Sequence, residues 1–174
     1  WTRYLMENGE LKSDPFLRLT LPKRESKLPK FLTEKEMEGL LAAPSPASAP
    51  FGVRDRALLE LLYSSGLRRS ELSLLNCGDL DFVSGFVRVF GKGSRERLVP
   101  VGESALSCLR DYLGGRGDAG GAAPLFVNSR GARLSDAGVA WVVRRWLSGA
   151  KALKKVTPHA FRHSFATHLL EAGG

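Results

Sequence analysis

The chain has 174 residues, 43% of them hydrophobic, which is enough for one globular domain with a buried core and a short appended segment. Its 26 Lys and Arg against 18 Asp and Glu give a formal net charge of +8, which favours a polyanionic partner but is equally compatible with a solvated basic surface. Cys77 and Cys108 lack metal-ligand or redox spacing, no signal peptide is recognisable, and no apolar run approaches the roughly 20 residues of a membrane span. These features argue against disulfide-stapled, zinc-binding and membrane classes, and they predict a cytoplasmic, nucleoid-associated protein.

The first 30 residues divide into a short helical segment and a basic, proline-rich stretch. Trp1, Tyr4 and Leu5 have the spacing of one helical face, which predicts the last turns of a helix over residues 1–7. Residues 8–30 lack periodicity and alternate prolines with basic residues, as an extended interdomain linker does. Such a linker can contact DNA phosphates, although an ordinary domain connector has the same composition. The candidate DNA contacts are Lys23, Arg24, Lys27 and Lys30, with Arg95 further along the chain.

Three helices are predicted between residues 33 and 75. The first begins at a capping box, in which the Thr33 hydroxyl and the Glu36 carboxylate satisfy opposite backbone donors. The second is closed by Gly66, a residue type suited to the left-handed position that follows a helix. Apolar residues at helical spacing mark the three helices: Met37, Leu40 and Leu41, then Val53, Ala57, Leu58, Leu61 and Leu62, then Leu72 and Leu75.

Residues 80–101 change to the alternating pattern of strands. Val87 and Val89 alternate with their neighbours, the chain turns within Gly91–Glu96, and a β-hairpin with Lys92 at its tip is therefore predicted. The remaining predicted elements are a helix over Ala105–Leu113, a glycine-rich connector over Gly114–Pro124, a short strand at Leu125–Val127, a helix capped by Ser135, and a last helix starting at Thr157 and Pro158. The predicted fold class is α+β and mainly helical, with a small antiparallel sheet to which residues 125–128 add a strand.

Four basic side chains lie at the edges of predicted elements. Arg68 lies between two helices, and Lys92 lies between two glycines of the hairpin tip. His159 and Arg162 are three residues apart in the first turn of the last helix, so they share one surface. Each has an ordinary interpretation as a surface ion pair, a solvated turn lysine or a helix cap. Together, and with Glu71 close after Arg68, they predict a phosphate site, because guanidinium groups present paired donors to phosphate oxygens.

Three blocks of sequence resemble the tyrosine recombinase or phage integrase family, most closely its Xer branch. They follow the family's order over about 110 residues: Leu62–Leu72 (LYSSGLRRSEL), Gly91–Pro100 (GKGSRERLVP) and Pro158–His168 (PHAFRHSFATH). The resemblance implies that residues 31–174 form a catalytic domain with the tyrosine recombinase fold. Such a domain cuts and rejoins DNA at specific sites through a 3′-phosphotyrosyl intermediate, without a metal or other cofactor. Residues 1–7 would then be the remnant of a preceding core-binding domain.

The resemblance also implies a role for each site residue. Arg68 and Arg162 match the arginines that clamp the scissile phosphate, where their charge offsets that of the pentacoordinate transition state. Lys92 matches the lysine that protonates the leaving 5′ oxygen, and His159 matches the histidine that hydrogen-bonds the phosphate and assists proton transfer. Glu71 matches an acidic position that supports the site.

The supplied sequence departs from the family pattern at its end. It stops at Gly174, before the segment in which the family carries its nucleophilic tyrosine. Tyr4, Tyr63 and Tyr112 do not stand at that position, so we expect all three to be structural. We therefore expect this chain to bind DNA without cleaving it.

The resemblance further implies two partners, double-stranded DNA and other recombinase protomers, because family members act as tetramers on two DNA sites. The protomers can be identical or paralogous. Chromosome-dimer resolution, with its roles in chromosome partition and the cell cycle, and mobile-element integration both fit the sequence. A non-catalytic DNA-binding module and an enzyme like type IB topoisomerase remain alternative interpretations.

Overall fold

The computed structural model describes residues 1–13, 32–47, 50–91, 96–117 and 120–149, together with Ser164, Thr167, His168 and Leu170. The helices of this described part are α1 (Thr2–Glu7), α2 (Glu34–Ala42), α3 (Gly52–Ser65), α4 (Arg69–Leu74), α5 (Glu103–Arg116) and α6 (Asp136–Gly149). Its strands β1 (Leu80–Asp81), β2 (Phe86–Phe90) and β3 (Glu96–Pro100) form one antiparallel sheet in the order β1-β2-β3. The predicted fold class, mainly helical with a small antiparallel sheet, is confirmed. None of the described helices is long and apolar enough to cross a bilayer.

The predicted ends of α2 and α3 are confirmed. Glu36 Oε2 accepts hydrogen bonds from the Thr33 backbone N–H and hydroxyl, both at 2.9 Å, and Thr33 Oγ1 accepts from the Glu36 N–H at 3.4 Å. The helix α3 ends at Gly66, whose φ of 59° lies in the left-handed region that favours glycine. The chain therefore leaves α3 abruptly and reaches Arg68 within two residues.

The core lies between α3, α5 and the inner face of the sheet. Leu58, Leu59 and Leu61 of α3 are fully buried, and α5 packs against this helix. Burial of each such side chain contributes about 1.5–3 kcal/mol relative to leaving it in water. The apolar spacing that predicted α3 therefore identifies the helix at the centre of the domain.

The sheet has one buried and one exposed face. Val87 and Val89 of β2 are buried, whereas the residues on either side of them are exposed. Strand β3 pairs with β2 so that Val99 lies opposite Val87 and Arg97 lies opposite Val89. Since facing residues of an antiparallel pair share a side of the sheet, Arg97 lies on the same side as the core valines.

Two sequence predictions beyond the sheet need correction. The helix α5 runs to Arg116 rather than ending at Leu113, and Arg116 Nη1 donates hydrogen bonds to the carbonyls of Pro124 at 2.6 Å and Leu125 at 2.8 Å. The predicted strand at residues 125–128 is wrong, since this segment makes only isolated bridges.

Arg133 links this region to the end of α4. Its Nη1 donates to the backbone carbonyls of Ser73 at 3.1 Å and Leu75 at 2.8 Å, and its Nη2 donates to the Asn76 side chain. The Leu75 carbonyl also accepts from the Leu125 backbone N–H at 2.9 Å, so a backbone bond and a side-chain bond both tie this region to the end of α4.

The helix α6 contacts both α4 and the start of α3. Ser135 caps it as predicted, accepting a hydrogen bond from the Gly138 N–H at 3.1 Å. Near its first turn Asp136 pairs with Arg69 of α4 at 3.5 Å, and in its second half Trp146 Nε1 donates to the buried Asp55 of α3 at 2.9 Å. These contacts hold α6 against the two helices that flank Arg68.

Candidate active site

Arg68 lies at the junction between α3 and α4, where the sequence predicted it. Its extended backbone, with φ −72° and ψ 148°, precedes the first residue of α4. Leu67 beside it is buried, which anchors the junction to the core. The Arg68 side chain is 61% exposed. The fold therefore fixes the backbone of Arg68 and leaves most of its side chain exposed.

The Glu71 carboxylate holds this arginine through both of its oxygens. Glu71 Oε1 accepts a hydrogen bond from Arg68 Nη1 at 2.9 Å, and Oε2 accepts from the Arg68 backbone N–H at 2.9 Å. The same Oε2 accepts a bond from Arg97 Nη2, also at 2.9 Å. The Glu71 side chain is only 6% exposed, so the carboxylate is shielded from water while its two arginine partners stay partly exposed. Glu71 thus orients Arg68 by accepting hydrogen bonds from both the side chain and the backbone of Arg68.

The charge of Glu71 is stabilised by these donors. Burial acts to raise the pKa of this carboxyl, but the hydrogen bonds from Arg97 and Arg68 outweigh it, and the pKa lies below its ordinary value. Glu71 is consequently an anion at neutral pH, and it accepts hydrogen bonds without donating any.

Arg97 is the residue of this cluster that sequence reasoning missed. Its sequence position predicted only a strand residue, yet its guanidinium bonds to the predicted supporting residue Glu71. A signal was present, because strand alternation places Arg97 on the side of the core valines. A charged residue on the core side of a sheet requires a partner, since burying an unpaired charge is costly.

Two long-range hydrogen bonds tie the described part of the last helix to the domain. Ser164 Oγ accepts from the Leu32 backbone N–H at 2.8 Å, and both groups are buried. The hydroxyl of Tyr63 lies 2.8 Å from Nδ1 of the buried His168, and the two rings meet edge to face. Ser164 and His168 are four residues apart, so one face of this helix packs against the domain.

The environments of Tyr63 and Tyr112 agree with their predicted structural roles. Burial, followed by the nearby Glu34, Glu38 and Glu60, raises the pKa of Tyr63. A raised pKa makes the phenolate harder to form, and the phenolate is the attacking species. Tyr112 is buried and stacks on Phe126 with ring centroids 5.6 Å apart.

Several predicted site residues lie outside the described residues. They are Lys92, His159 and Arg162 of the phosphate site, and Lys23, Arg24, Lys27, Lys30 and Arg95 among the DNA contacts. The structure therefore brings together Arg68 and Glu71 of the predicted set and adds Arg97. The roles of the other residues remain predictions.

Comparison with known proteins identifies the family. The profile described as "Phage integrase family" matches residues 30–174. The chain belongs to the phage integrase family. The resemblance predicted from three sequence blocks is thereby confirmed.

Relatives within the phage integrase family include Xer proteins. The chain is 47% identical over 179 residues to the tyrosine recombinase XerC of Pelotomaculum thermopropionicum, and the match covers 98% of this chain and 58% of that relative. The crystal structure of XerA recombinase is similar with a TM-score of 0.73 and 32% identity, over 84% of this chain and 52% of that chain. The crystal structure of XerH recombinase in a post-cleavage complex with palindromic difH substrate is similar with a TM-score of 0.69 and 28% identity, over 83% of this chain and 43% of that chain. The matches therefore span between 43% and 58% of the length of these relatives.

Proposed function

We propose that the intact protein is a site-specific tyrosine recombinase of the Xer type, which cuts and rejoins double-stranded DNA. The observation that carries this proposal is the presentation of Arg68, whose backbone and one guanidinium nitrogen are held by the buried Glu71 while the side chain stays 61% exposed. A guanidinium held in this way is preorganised to receive a phosphate. The similarity to XerC and to XerH bound to its difH substrate supports DNA as the source of that phosphate.

In the proposed reaction a tyrosine oxygen attacks the scissile phosphorus and the 5′ oxygen leaves. Arg68 and Arg162 offset the additional negative charge of the pentacoordinate transition state. Lys92 gives a proton to the departing 5′ oxygen, which would otherwise leave as a poor alkoxide. His159 hydrogen-bonds the phosphate and assists proton transfer. The phosphodiester is retained as a protein–DNA ester, so attack by a new 5′ hydroxyl rejoins the strand without an external energy source.

In this proposal the tyrosine is none of Tyr4, Tyr63 and Tyr112, and it follows Gly174 in the intact protein. The hydrogen bond of Tyr63 to His168 and the burial of Tyr112 support that assignment. Residues 1–7 and 8–30 serve as the end of a core-binding domain and as a linker, and the catalytic domain begins at residue 31. Basic residues of the linker and of the hairpin contribute phosphate contacts.

The proposed assembly is a tetramer of identical or paralogous recombinase protomers on two duplexes. Its biological task is exchange between chromosomal sites, as in dimer resolution during chromosome partition and the cell cycle, or integration of a mobile element. The proposed site of action is the nucleoid in the cytoplasm.

The decisive test is covalent capture of DNA by the intact protein. Fragments of the source organism's genome that bind the protein are selected and rebuilt as nicked suicide duplexes. We expect the intact protein to form an SDS-stable adduct and the 174-residue chain to form none. Arg68→Ala should reduce the cleavage rate by about 100-fold or more, as removal of a transition-state donor does.

A matched control is Arg110→Ala. Arg110 is also an exposed arginine paired to a glutamate, Glu103 at 2.8 Å, so the variant removes the same charge elsewhere. It should cleave at a rate close to that of the wild type. Absence of an adduct from the intact protein, or an adduct that maps to Tyr63 or Tyr112, would contradict the proposal. Formation of Holliday junctions separates strand exchange from the relaxation of supercoils by a topoisomerase-like enzyme.

A further inference from the structure

Arg97 occupies an unusual place for a charged side chain. It lies opposite Val89 on the side of the sheet that faces the core, whereas the neighbouring Glu96 and Leu98 point to solvent. Its side chain is 40% exposed, and its Nη2 reaches the Glu71 carboxylate. Strand β3 is thereby attached to the first turn of α4 by one hydrogen-bonded ion pair. This pair joins a strand of the sheet to the helix that follows Arg68.

The bonding of Glu71 makes the positions of the two arginines interdependent. One carboxylate oxygen accepts from the Arg68 guanidinium, and the other accepts from Arg97 and from the Arg68 backbone N–H. Rotation of the carboxylate toward either arginine alone would break a bond to the other. With both partners in place, the carboxylate plane is fixed, and the bound edge of the Arg68 guanidinium is fixed with it.

The second arginine also changes the charge of the cluster. A lone Arg68–Glu71 pair would be electrically neutral, and its attraction for a phosphate would be weak. Arg97 brings this three-residue cluster to a net charge of +1, so a positive charge remains available at the exposed Arg68. Because Glu71 is buried, these charges interact through a medium of lower dielectric than bulk water.

We propose that Arg97 is a positioning residue of the phosphate site, which acts through Glu71 to hold the Arg68 guanidinium and to preserve its positive field. The inference rests on the proposed function. The strand β3, which carries Arg97, begins in the sequence directly after the hairpin tip that contains Lys92. Through Glu71, Arg97 couples the strand at the base of that hairpin to the arginine that would meet the same phosphate.

The test measures single-turnover cleavage of a suicide duplex by the intact protein, together with its affinity for the uncut duplex. Arg97→Gln should lower the cleavage rate at saturating protein by between about 10-fold and 100-fold, as misplacement of a reacting group does. Its effect on affinity should be no larger than that of Arg88→Gln. Arg88 is the matched control, because it lies on β2, is 45% exposed and faces the opposite side of the sheet, where it pairs with Asp79. Arg97→Lys should restore part of the rate, because it keeps the charge.

A double-mutant cycle separates positioning from general stabilisation. If Arg97 acts through Glu71, the fold-loss in cleavage rate of the double variant, Glu71→Gln with Arg97→Gln, should be smaller than the product of the fold-losses of the two single variants. Multiplicative losses would refute the inference, and so would an Arg97→Gln variant that cleaves as fast as Arg88→Gln. A rate loss that disappears when the variants are compared at equal folded fractions, measured by circular dichroism, would also refute it. A wild-type protein that forms no adduct would instead overturn the proposed function, and this inference with it.

Discussion

Replacement of Glu71 by alanine should destabilise the domain more than its position in a short, six-residue helix suggests. The substitution removes the acceptor of three hydrogen bonds, two to Arg68 and one to Arg97. The backbone bond caps the start of α4, and such a cap contributes about 1 kcal/mol. The other two bonds are charge-assisted, but their guanidinium donors are 61% and 40% exposed and regain water when the carboxylate is removed.

The expected loss for Glu71→Ala is therefore about 2–3 kcal/mol, below the roughly 3–5 kcal/mol seen when one partner of a fully buried ion pair is removed. For a domain of this size the loss corresponds to a decrease in Tm of roughly 4–12 °C. Urea denaturation followed by circular dichroism measures it directly. Glu103→Ala is the control, because Glu103 forms an ion pair of similar length with Arg110 but is 77% exposed. That variant should lose no more than about 0.5 kcal/mol.

The pH dependence of the same experiment tests the assigned charge. The pKa of Glu71 is lowered in the folded state from an ordinary value of 4.5, so its stabilising contribution is fully present above that value. The contribution decreases as the pH falls through the folded-state pKa. The stability difference between the wild type and Glu71→Ala should thus be constant near neutral pH and narrow below pH 4.5. A difference under about 0.5 kcal/mol at pH 7, or one that does not narrow in acid, would refute this account of the cluster.

Two further predictions concern contacts outside the cluster. Tyr63→Phe removes the hydroxyl that contacts His168, and it should lower the free energy of unfolding, measured by urea denaturation, by about 1 kcal/mol. Hydrogen exchange around His168 should become faster, and unchanged exchange would contradict the role of this contact. Arg133→Met keeps much of the side-chain volume but removes the Arg133 bonds to the Ser73 and Leu75 carbonyls and to the Asn76 side chain, and it should cost about 1–3 kcal/mol. The same change at the exposed Arg130 should be nearly neutral, and equal effects at the two positions would show that the contacts of Arg133 are unimportant.

Local patterns predicted most of the described helices and the hairpin strands, because these elements depend on neighbours in the sequence. The capping box at Thr33, the glycine that ends α3 and the alternation through Val87 each have a local physical cause. The strand predicted at residues 125–128 failed for the opposite reason. Its pairing depends on residues far away in the sequence, such as Leu75, whose carbonyl accepts from Arg133 and from the Leu125 N–H, and a local pattern does not contain those contacts.

The candidate site was only partly accessible from the sequence for a similar reason. Arg68 and Glu71 are three residues apart, so their pairing at a helix start could be predicted from spacing. Arg97 is 26 residues from Glu71, and their contact depends on how the sheet packs against α4. The Tyr63–His168 contact spans 105 residues. The roles proposed for Lys92, His159 and Arg162 come from the family resemblance alone.

The bonds of Ser164 and His168 have a consequence for the order in which the domain forms during synthesis. The buried N–H of Leu32 finds its acceptor, Ser164, only 132 residues later in the chain. At a translation rate of about 5–20 residues per second, that backbone donor waits on the order of 10 seconds for its partner. The described residues around Ser164 therefore dock only after most of the chain has been made. A ribosome-bound intermediate can bury the leucines of α3 before Ser164 is available to the Leu32 N–H.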